Sequence, residues 1–389
     1  MLLIKQFLKI LIQKIYKQPP DYRMKLKFYP ISPSLIFIYA LFFLLANGCA
    51  KLGPTTLKSE RSNYNLAVQK TNDEQLLLNL ARLKYRDTPF FMEVSSVASQ
   101  FTLSTTANAS ATLQEGVKGL FGLGGSVGMT EKPTVTYSPL QGDQFIQRVL
   151  SPLPLETITL LYHSGWSVER IFRLCLQRMN NIKNAPGASG PTPKRAPQFR
   201  EFIEATKHLR ELQSQDVLNL FFQKENGVPH IVLQIAEEGR NLQPANEFAR
   251  ALKVEPGRDR YVITFSPKQN ESDQIRVVTR SLLGILFYLS QAVEAPEEDI
   301  RAGKVTRTLK QNGEAFDWRE LTGELLRIRS KPNRPDNATL MVFYRGTWFY
   351  IDDSDLKSKS TFSLLSQIFS LQAGKIKDNS PVLTLGVGQ

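Results

Sequence analysis

The chain has 389 residues, of which 42% are hydrophobic and 22% charged, enough for one large or two ordinary domains with real cores. Its two Cys exclude a disulfide framework and a Cys-rich zinc site. The formal charge of +13 shrinks on inspection: seven of the 49 Lys and Arg and one of the 36 acids precede Cys49, leaving 42 against 35, a net +7 with no basic run. That argues against nucleic acid as a partner and keeps attraction to anionic lipid or cell-wall polymer open.

Two apolar, basic segments open the chain. Met1 to Lys17 precedes Met24-Lys25-Leu26-Lys27, which reads as a normal start, so translation is expected to begin at Met24. The alternative is an amphipathic helix on a membrane surface, with Leu3, Ile4, Phe7, Leu8, Leu11 and Ile15 on one face and Lys5, Lys9 and Lys14 elsewhere. Lys25 and Lys27 are followed by the apolar run Leu35 to Ala46, and small residues close it, the pattern of a secretory signal. Leu44-Leu45-Ala46-Asn47-Gly48-Cys49 resembles the lipobox of bacterial lipoproteins, with Ala where Leu is more usual. The resemblance implies cleavage between Gly48 and Cys49 and acylation of Cys49. An uncleaved anchor is the other reading, against which the run is shorter than the ~20 residues of a spanning helix. Ala50, where an inner-membrane lipoprotein tends to carry Asp, implies transfer to the outer membrane. Residues 1–48 are thus expected to be a leader and 49–62 a tether.

Residues 63–183 read as an α+β domain. Tyr64 to Arg86 has Leu76, Leu77, Leu80 and Leu83 at helical spacing, with Asp73 able to cap one turn and Thr88-Pro89 as the stop. Arg82, Lys84 and Arg86 read as a solvated helix end favoured by the dipole. Phe90 to Val94 follows as a buried strand. From Phe101 to Gln114 apolar and polar residues alternate without a break. Phe121 to Thr130 alternates again, and Glu115 to Gly119 can turn the chain, which predicts a long β-hairpin over residues 100–131. Between Glu93 and Glu115 no charge interrupts. Such a hairpin folds over the protein's own core or, as the sharper alternative, joins copies of itself in a homo-oligomeric barrel. Ala and Thr make a weak lipid-facing surface, which favours the first. The Gly-x-Gly dipeptides here match neither the dinucleotide fingerprint nor the P-loop.

Pro133 to Tyr137 is a further strand. Short helices are expected at Gln144 to Leu150 and Leu155 to His163, and a longer one at Ser167 to Asn180, whose apolar stripe includes Cys175, a packing residue rather than a nucleophile. Residues 184–198 hold four Pro and two Gly and read as a linker. The second α+β domain, 199–389, opens with a helix marked by Phe199, Phe202, Ile203, Leu209 and Leu212. Strands at His230 to Ile235, Tyr261 to Ser266 and Gln274 to Val278 precede a buried helix at Ser281 to Val293. Glu324 to Arg329 is the next element. Ala338 to Tyr344 then pairs with Thr347 to Ile351 through Arg345-Gly346, a strong two-residue hairpin signal rich in aromatics. A helix at Ser358 to Gln372 and a strand at Val382 to Leu385 end the chain.

Asn72-Asp73-Glu74-Gln75-Leu76-Leu77-Leu78-Asn79, Lys84-Tyr85-Arg86-Asp87-Thr88-Pro89-Phe90, Tyr344-Arg345-Gly346-Thr347-Trp348-Phe349-Tyr350-Ile351-Asp352-Asp353 and Pro381-Val382-Leu383-Thr384-Leu385 resemble a family of proteobacterial outer-membrane lipoproteins with no assigned activity. The resemblance implies a location and no mechanism.

Catalytic chemistry is not visible. His163, His208 and His230 lack metal-site spacing, and no Gly-x-Ser-x-Gly elbow occurs. Ser354 to Lys357 matches Ser-x-x-Lys without its partner motifs. Asp352, Asp353 and Asp355 lack the Gly and distal Glu of a calcium loop. The expectation is therefore an α+β protein with antiparallel sheets and packed helices and no catalytic, cofactor or metal residues. It is held to membrane lipid through acylated Cys49, faces the periplasm from the outer membrane, and has a structural or assembly role with envelope proteins or copies of itself as partners. The alternatives are an oligomeric pore or secretion accessory built on residues 100–131, and a periplasmic cell-wall enzyme.

Overall fold

The computed structural model describes residues 52–112, 120–265, 272–373 and 383–386; the leader with Gly48 and Cys49, and residues 113–119, where the hairpin turn is expected, lie outside them. Residues 1–63 and 64–389 form two compact units, and everything below from Tyr64 onward concerns the second. The fold is α+β.

Helix α1 (Leu52–Lys84) starts at Leu52, within the expected tether, and runs through Asp73, which is therefore not a cap. Leu76, Leu77, Leu80 and Leu83 are buried, as their spacing requires. The stop comes before Thr88-Pro89 and is made by the backbone. Arg86 adopts a left-handed φ of 65°, Asp87 N–H donates to the Arg82 carbonyl at 2.9 Å and Arg86 N–H to that of Leu83 at 3.1 Å, a Schellman closure.

Strands β1 (Met92–Thr112) and β2 (Leu120–Pro139) pair antiparallel from Met92↔Pro139 to Thr112↔Leu120. After β2 come α2 (Asp143–Leu150), α3 (Leu155–His163) and α4 (Val168–Cys175), then β3 (Leu176–Met179) and β4 (Ile182–Lys183). The single helix expected over Ser167 to Asn180 is thus corrected to a helix and a strand. Arg280 supplies the reason. Its side chain is fully buried, and its guanidinium donates to the carbonyls of Arg173 (2.9 Å), Leu174 (3.0 Å), Leu176 (2.5 Å) and Asn184 (2.5 Å), and to Ser189 Oγ (2.9 Å). The Arg280 backbone N–H takes the Cys175 carbonyl at 2.6 Å. Carbonyls that would accept the next helical turn are already occupied, so the chain leaves the helix at Leu176. The ring of Tyr288 lies 4.0 Å from the guanidinium and completes the enclosure.

The Pro-rich segment 184–198 contributes Asn184, Ala185, Ala188 and Thr192 as buried residues, with a 3₁₀ turn at Pro186–Ser189. Helix α5 (Arg200–Ser214) leads to β5 (Leu218–Glu225), β6 (Val228–Ile235), α6 (Gln243–Leu252), β7 (Arg260–Thr264), β8 (Gln274–Thr279) and α7 (Leu282–Ser290). The sheet order is β4-β3-β8-β7-β6-β5, antiparallel except for β7 with β8. Strand β5 and helix α6 were not expected. The turn joining β5 to β6 is Asn226-Gly227, with φ of 51° and 79°, the left-handed pair of a type I′ hairpin. Helices α8 (Glu297–Arg301) and α9 (Arg319–Thr322) precede a small sheet, β9 (Arg329–Lys331), β10 (Ala338–Tyr344) and β11 (Thr347–Asp352), ordered β10-β11-β9. Arg345 and Gly346, at φ 50° and 79°, make its type I′ turn. Helix α10 (Leu356–Ala373) and strand β12 (Leu383–Gly386) follow. Among the described residues no helix is long and apolar enough to cross a membrane.

Candidate functional site

The segments that carried the family resemblance converge on the base of the β1–β2 pair. Phe91 and Leu140 are hydrogen-bonded, so Met92 and Pro139 form the next, non-hydrogen-bonded pair and the Met92 backbone groups point away from β2, where Pro139 loses no bond. Gln75 of α1 meets it with both amide atoms: Met92 N–H to Oε1 at 2.6 Å and Nε2–H to the Met92 carbonyl at 2.9 Å. One turn on, Asn79 does the same for Phe90, at 3.0 and 2.8 Å. Two amides at i, i+4 thus serve as a side-chain strand along the segment entering β1 and its first residue. The outer edge of β2 is covered by β12, paired from Leu383↔Tyr137 to Gly386↔Thr134. Ala98 lies opposite Thr134, so beyond that point, among the described residues, β1 and β2 pair only with each other.

Tyr85 and Asp87 tie the same base to the β10–β11 turn. Asp87 accepts from the Tyr344 hydroxyl and, at 2.9 and 3.1 Å, from Nη2 of Arg345. Burial alone would push the Asp87 carboxyl up, but these bonds outweigh it and hold it below the ordinary carboxylate range. The Arg345 guanidinium lies 4.9 Å from the Tyr85 ring centroid. Tyr85 donates to Asp299 at 2.6 Å, where Lys304 also pairs at 2.6 Å. Burial, then that bond, push the Tyr85 hydroxyl up, and Lys304, then Tyr85, hold Asp299 down.

On the other side of α8 lies a cleft of about 870 Å³. Val293, Ile300, Phe316 and Trp318 supply apolar and aromatic wall. Lys84, the residue before Tyr85, opens into it. Its side chain is not the solvated helix end the sequence implied: it is 6% exposed, and among the described residues it makes no hydrogen bond or ion pair, with only the Trp318 ring near its Nζ, 6.0 Å from the centroid. Burial pulls its ammonium down to about 8. Gln291, 2% exposed, lines the same cleft. Its Nε2 donates to the Phe287 carbonyl at 3.1 Å while its Oε1 has no partner. The acids of the cleft are largely answered: Asp317 by a fork from Arg319 at 2.8–3.0 Å and Glu294 by Arg327 at 2.6 Å. Family models, curated proteins and solved structures contain no match to the chain.

Other sequence candidates stay apart. Cys49 and Gly48 lie outside the described residues. Cys175 is fully buried, and burial pushes its thiol up to about 12, which suits packing and not attack. Ser354 donates to Asp352 at 2.6 Å and sits in the turn before α10. Asp355 caps that helix through Ser358 N–H at 3.0 Å, and Asp353 pairs with Lys359 at 2.7 Å. The aspartates are spent on a cap and two ion pairs, Asp352 meeting Arg329 at 3.3 Å. Among the described residues no group of three or more His, Cys, Asp or Glu could hold a metal ion. Gln291 and Trp318 escaped the sequence reading and Lys84 was read as solvated, because nothing in their spacing brings the three together.

Proposed function

We propose that the chain is a lipid-anchored cell-envelope protein, acylated at Cys49 and facing the periplasm from the outer membrane, that acts as an assembly component by presenting β1 and β2 to other β-strands. The lipobox-like stretch from Leu44 to Cys49 supports the anchor. The observation that carries the role is the contrast along the strand pair. At its base both outer edges are occupied, by Gln75 and Asn79 on one side and β12 on the other. Past Ala98 and Thr134, among the described residues, neither is, over residues that span about 45 Å at ~3.3 Å per residue. Soluble proteins blunt open edges with charge or Pro. On β1 from Val94 to Thr112 this chain has neither; on β2 Glu131, Lys132 and Pro133 stand beside the covered base, and from Leu120 to Thr130 there is again neither. An isolated two-stranded ribbon is marginal in water, so strand addition from a partner or a second copy is the arrangement that satisfies these edges. The same features suit a homo-oligomeric pore as the second reading.

Radiolabelled palmitate incorporation and membrane fractionation of the parent and of Cys49→Ser test the anchor; equal labelling and sedimentation of the two would end it. Native mass spectrometry in detergent tests the role. A defined oligomer favours the pore, a heterocomplex lost on inserting Lys at Thr106 favours assembly, and a monomer with no strand partner removes both.

A further inference from the structure

We infer that the eleven paired positions of β1 and β2 from Thr102↔Thr130 to Thr112↔Leu120 cross a lipid bilayer, their odd-numbered face toward acyl chains and their edges closed by further copies of this chain around a neutral, hydroxyl-lined lumen. The inference rests on the reading that the open edges take further strands, and it narrows that reading to one partner and one solvent. It begins from where the register sets the charges. Glu131 lies opposite Phe101 and Lys132 opposite Gln100, at the base end of the uncharged stretch. The next charges, Glu115 and Lys118, come after Thr112 and before Leu120. Between these limits neither strand carries one. Ten steps of ~3.3 Å make about 33 Å, and the ~40° tilt of strands in a closed barrel turns that into about 25 Å of depth, the height of the apolar band of an outer-membrane barrel.

The register also sorts the faces. Leu103 stands opposite Met129, Ala109 opposite Leu123 and Ala111 opposite Phe121, so the apolar positions of both strands share one face. Phe101 marks the base end of that face and Phe121 its tip, where a membrane barrel carries aromatic girdles. Thr102 with Thr130, Thr106 with Ser126 and Ser110 with Gly122 hold the other face, and Thr106 and Ser126 are exposed. Past the base, among the described residues, no helix or further strand lies along the pair to give it a core to fold over. In hydrocarbon an open strand edge is not tolerated, and two strands cannot close on themselves, so the flanking strands come from other chains. A copy matches this pair in uncharged depth and in the alternation of its faces. Setting β1 of one copy beside β2 of the next continues the antiparallel order and gives each copy the same two interfaces.

The base sets the direction. Gln75 meets Met92 and Asn79 meets Phe90, so β1 sets out back toward the start of α1. Thr102 is about 33 Å along β1 from Met92, and Tyr64 about 16 Å along α1 from Gln75. The residues from Cys49 to Tyr64 are long enough to span the difference, so an acyl group on Cys49 can enter the leaflet where the uncharged band begins.

Single cysteines in the full chain, reconstituted in phosphatidylcholine vesicles and labelled with an environment-sensitive fluorophore, read the two faces. Cys175 is buried, so a Cys49→Ser background leaves the introduced thiol as the reactive one and frees the test from the anchor. Labels at Leu103→Cys, Ala107→Cys and Ala109→Cys should be quenched by spin-labelled lipid and shielded from aqueous iodide. Those at Ser104→Cys, Thr106→Cys and Asn108→Cys should show the reverse. In planar bilayers the parent should conduct with a reversal potential near zero in a KCl gradient. Asn108→Arg, on the lumen face, should still conduct and become anion-selective. Ala107→Arg, at the middle of the band on the lipid face, should insert at least about tenfold less often, while Ala107→Ser inserts like the parent. Alternation in the opposite phase, no conductance, or equal insertion of Ala107→Arg and Asn108→Arg would overturn the inference. Iodide access at every position, with a partner's strand still added to the edge in water, would overturn it and leave the reading it rests on standing.

Discussion

Arg280 and Lys84 are both buried cations without a carboxylate beside them, and the molecule treats them in opposite ways. Arg280 is saturated: four backbone carbonyls and the Ser189 hydroxyl accept from it, and Tyr288 covers its face. Burial lowers it only to about 10, so it stays charged at neutral pH. Lys84 has a ring nearby and, among the described residues, no acceptor. Carbonyl oxygens are numerous wherever a helix ends, and the guanidinium fork can reach several at once, so an arginine can be buried as a structural rivet. A lysine buried at the wall of a cleft without a partner among the described residues bears the cost of its charge uncompensated.

The largest effect is expected where the saturation is greatest. Arg280→Met leaves the carbonyls that end α4 without donors, and should cost roughly 3–5 kcal/mol, the range seen when one side of a buried charged cluster is removed. Urea unfolding would report it; a loss under 1 kcal/mol would mean that water replaces the guanidinium, and the contrast with Lys84 would fail. Lys84→Met should act in the opposite direction. A lysine depressed to about 8 from 10.5 binds its proton less tightly folded than unfolded, so the full penalty, roughly 3 kcal/mol, applies below about pH 8 and fades as pH rises toward 10.5. The variant should therefore be more stable than the parent at pH 7 by up to that amount, with the gap closing at high pH. A constant gap would show that burial of the charge is not its cause.

Which parts of this were readable in the residues follows from how local each one is. Helix α1, the β10–β11 turn and α10 have periodicity or turn chemistry within a few residues, and the α+β class follows from them. Asn226-Gly227 was equally local and went unread, which cost strand β5 on its far side. The end of α4 was not local: an apolar stripe continues through Met179, and the side chain that breaks the helix there arrives from Arg280, over a hundred residues on. The base of β1 and β2 was half legible. Gln75 and Asn79 sit at i, i+4 in a segment that had been quoted, but that spacing alone says only that they share a helix face. Lys84 was misread for a physical reason, since basic residues in a last turn are usually solvated, and only the packing of Trp318 against it says otherwise.

Smaller effects sharpen the contrast between answered and unanswered polar groups along α1. Asn79 is 1% exposed and makes both of its bonds to Phe90, so Asn79→Leu should cost about 1–2 kcal/mol, partly offset because the freed backbone of Phe90 can reach water. Hydrogen exchange at Phe90 and Met92 should quicken well before exchange in the six-stranded sheet does. Uniform protection would mean that the amides do not hold the edge.

The smallest expected change is at Tyr344, and it separates a tether from a packing contact. Tyr344→Phe keeps the ring beside Tyr85, where the centroids are 6.0 Å apart, and removes only the hydroxyl that donates to Asp87. Arg345 still holds that carboxylate, which is partly open to solvent, so the loss should be no more than about 1 kcal/mol. Its signature is in pH. Asp87 sits below the ordinary carboxylate range when folded, so it contributes stability above that range that is lost as pH falls through its folded value. Without the Tyr344 hydroxyl the folded value rises, the stabilisation shrinks, and acid unfolding begins at higher pH. In an Asp87→Asn background the same change should do nothing to the acid limb. If it moves that limb equally in both backgrounds, the hydroxyl acts on some other group, and the turn at Arg345-Gly346 is held to α1 by ring packing and the guanidinium alone.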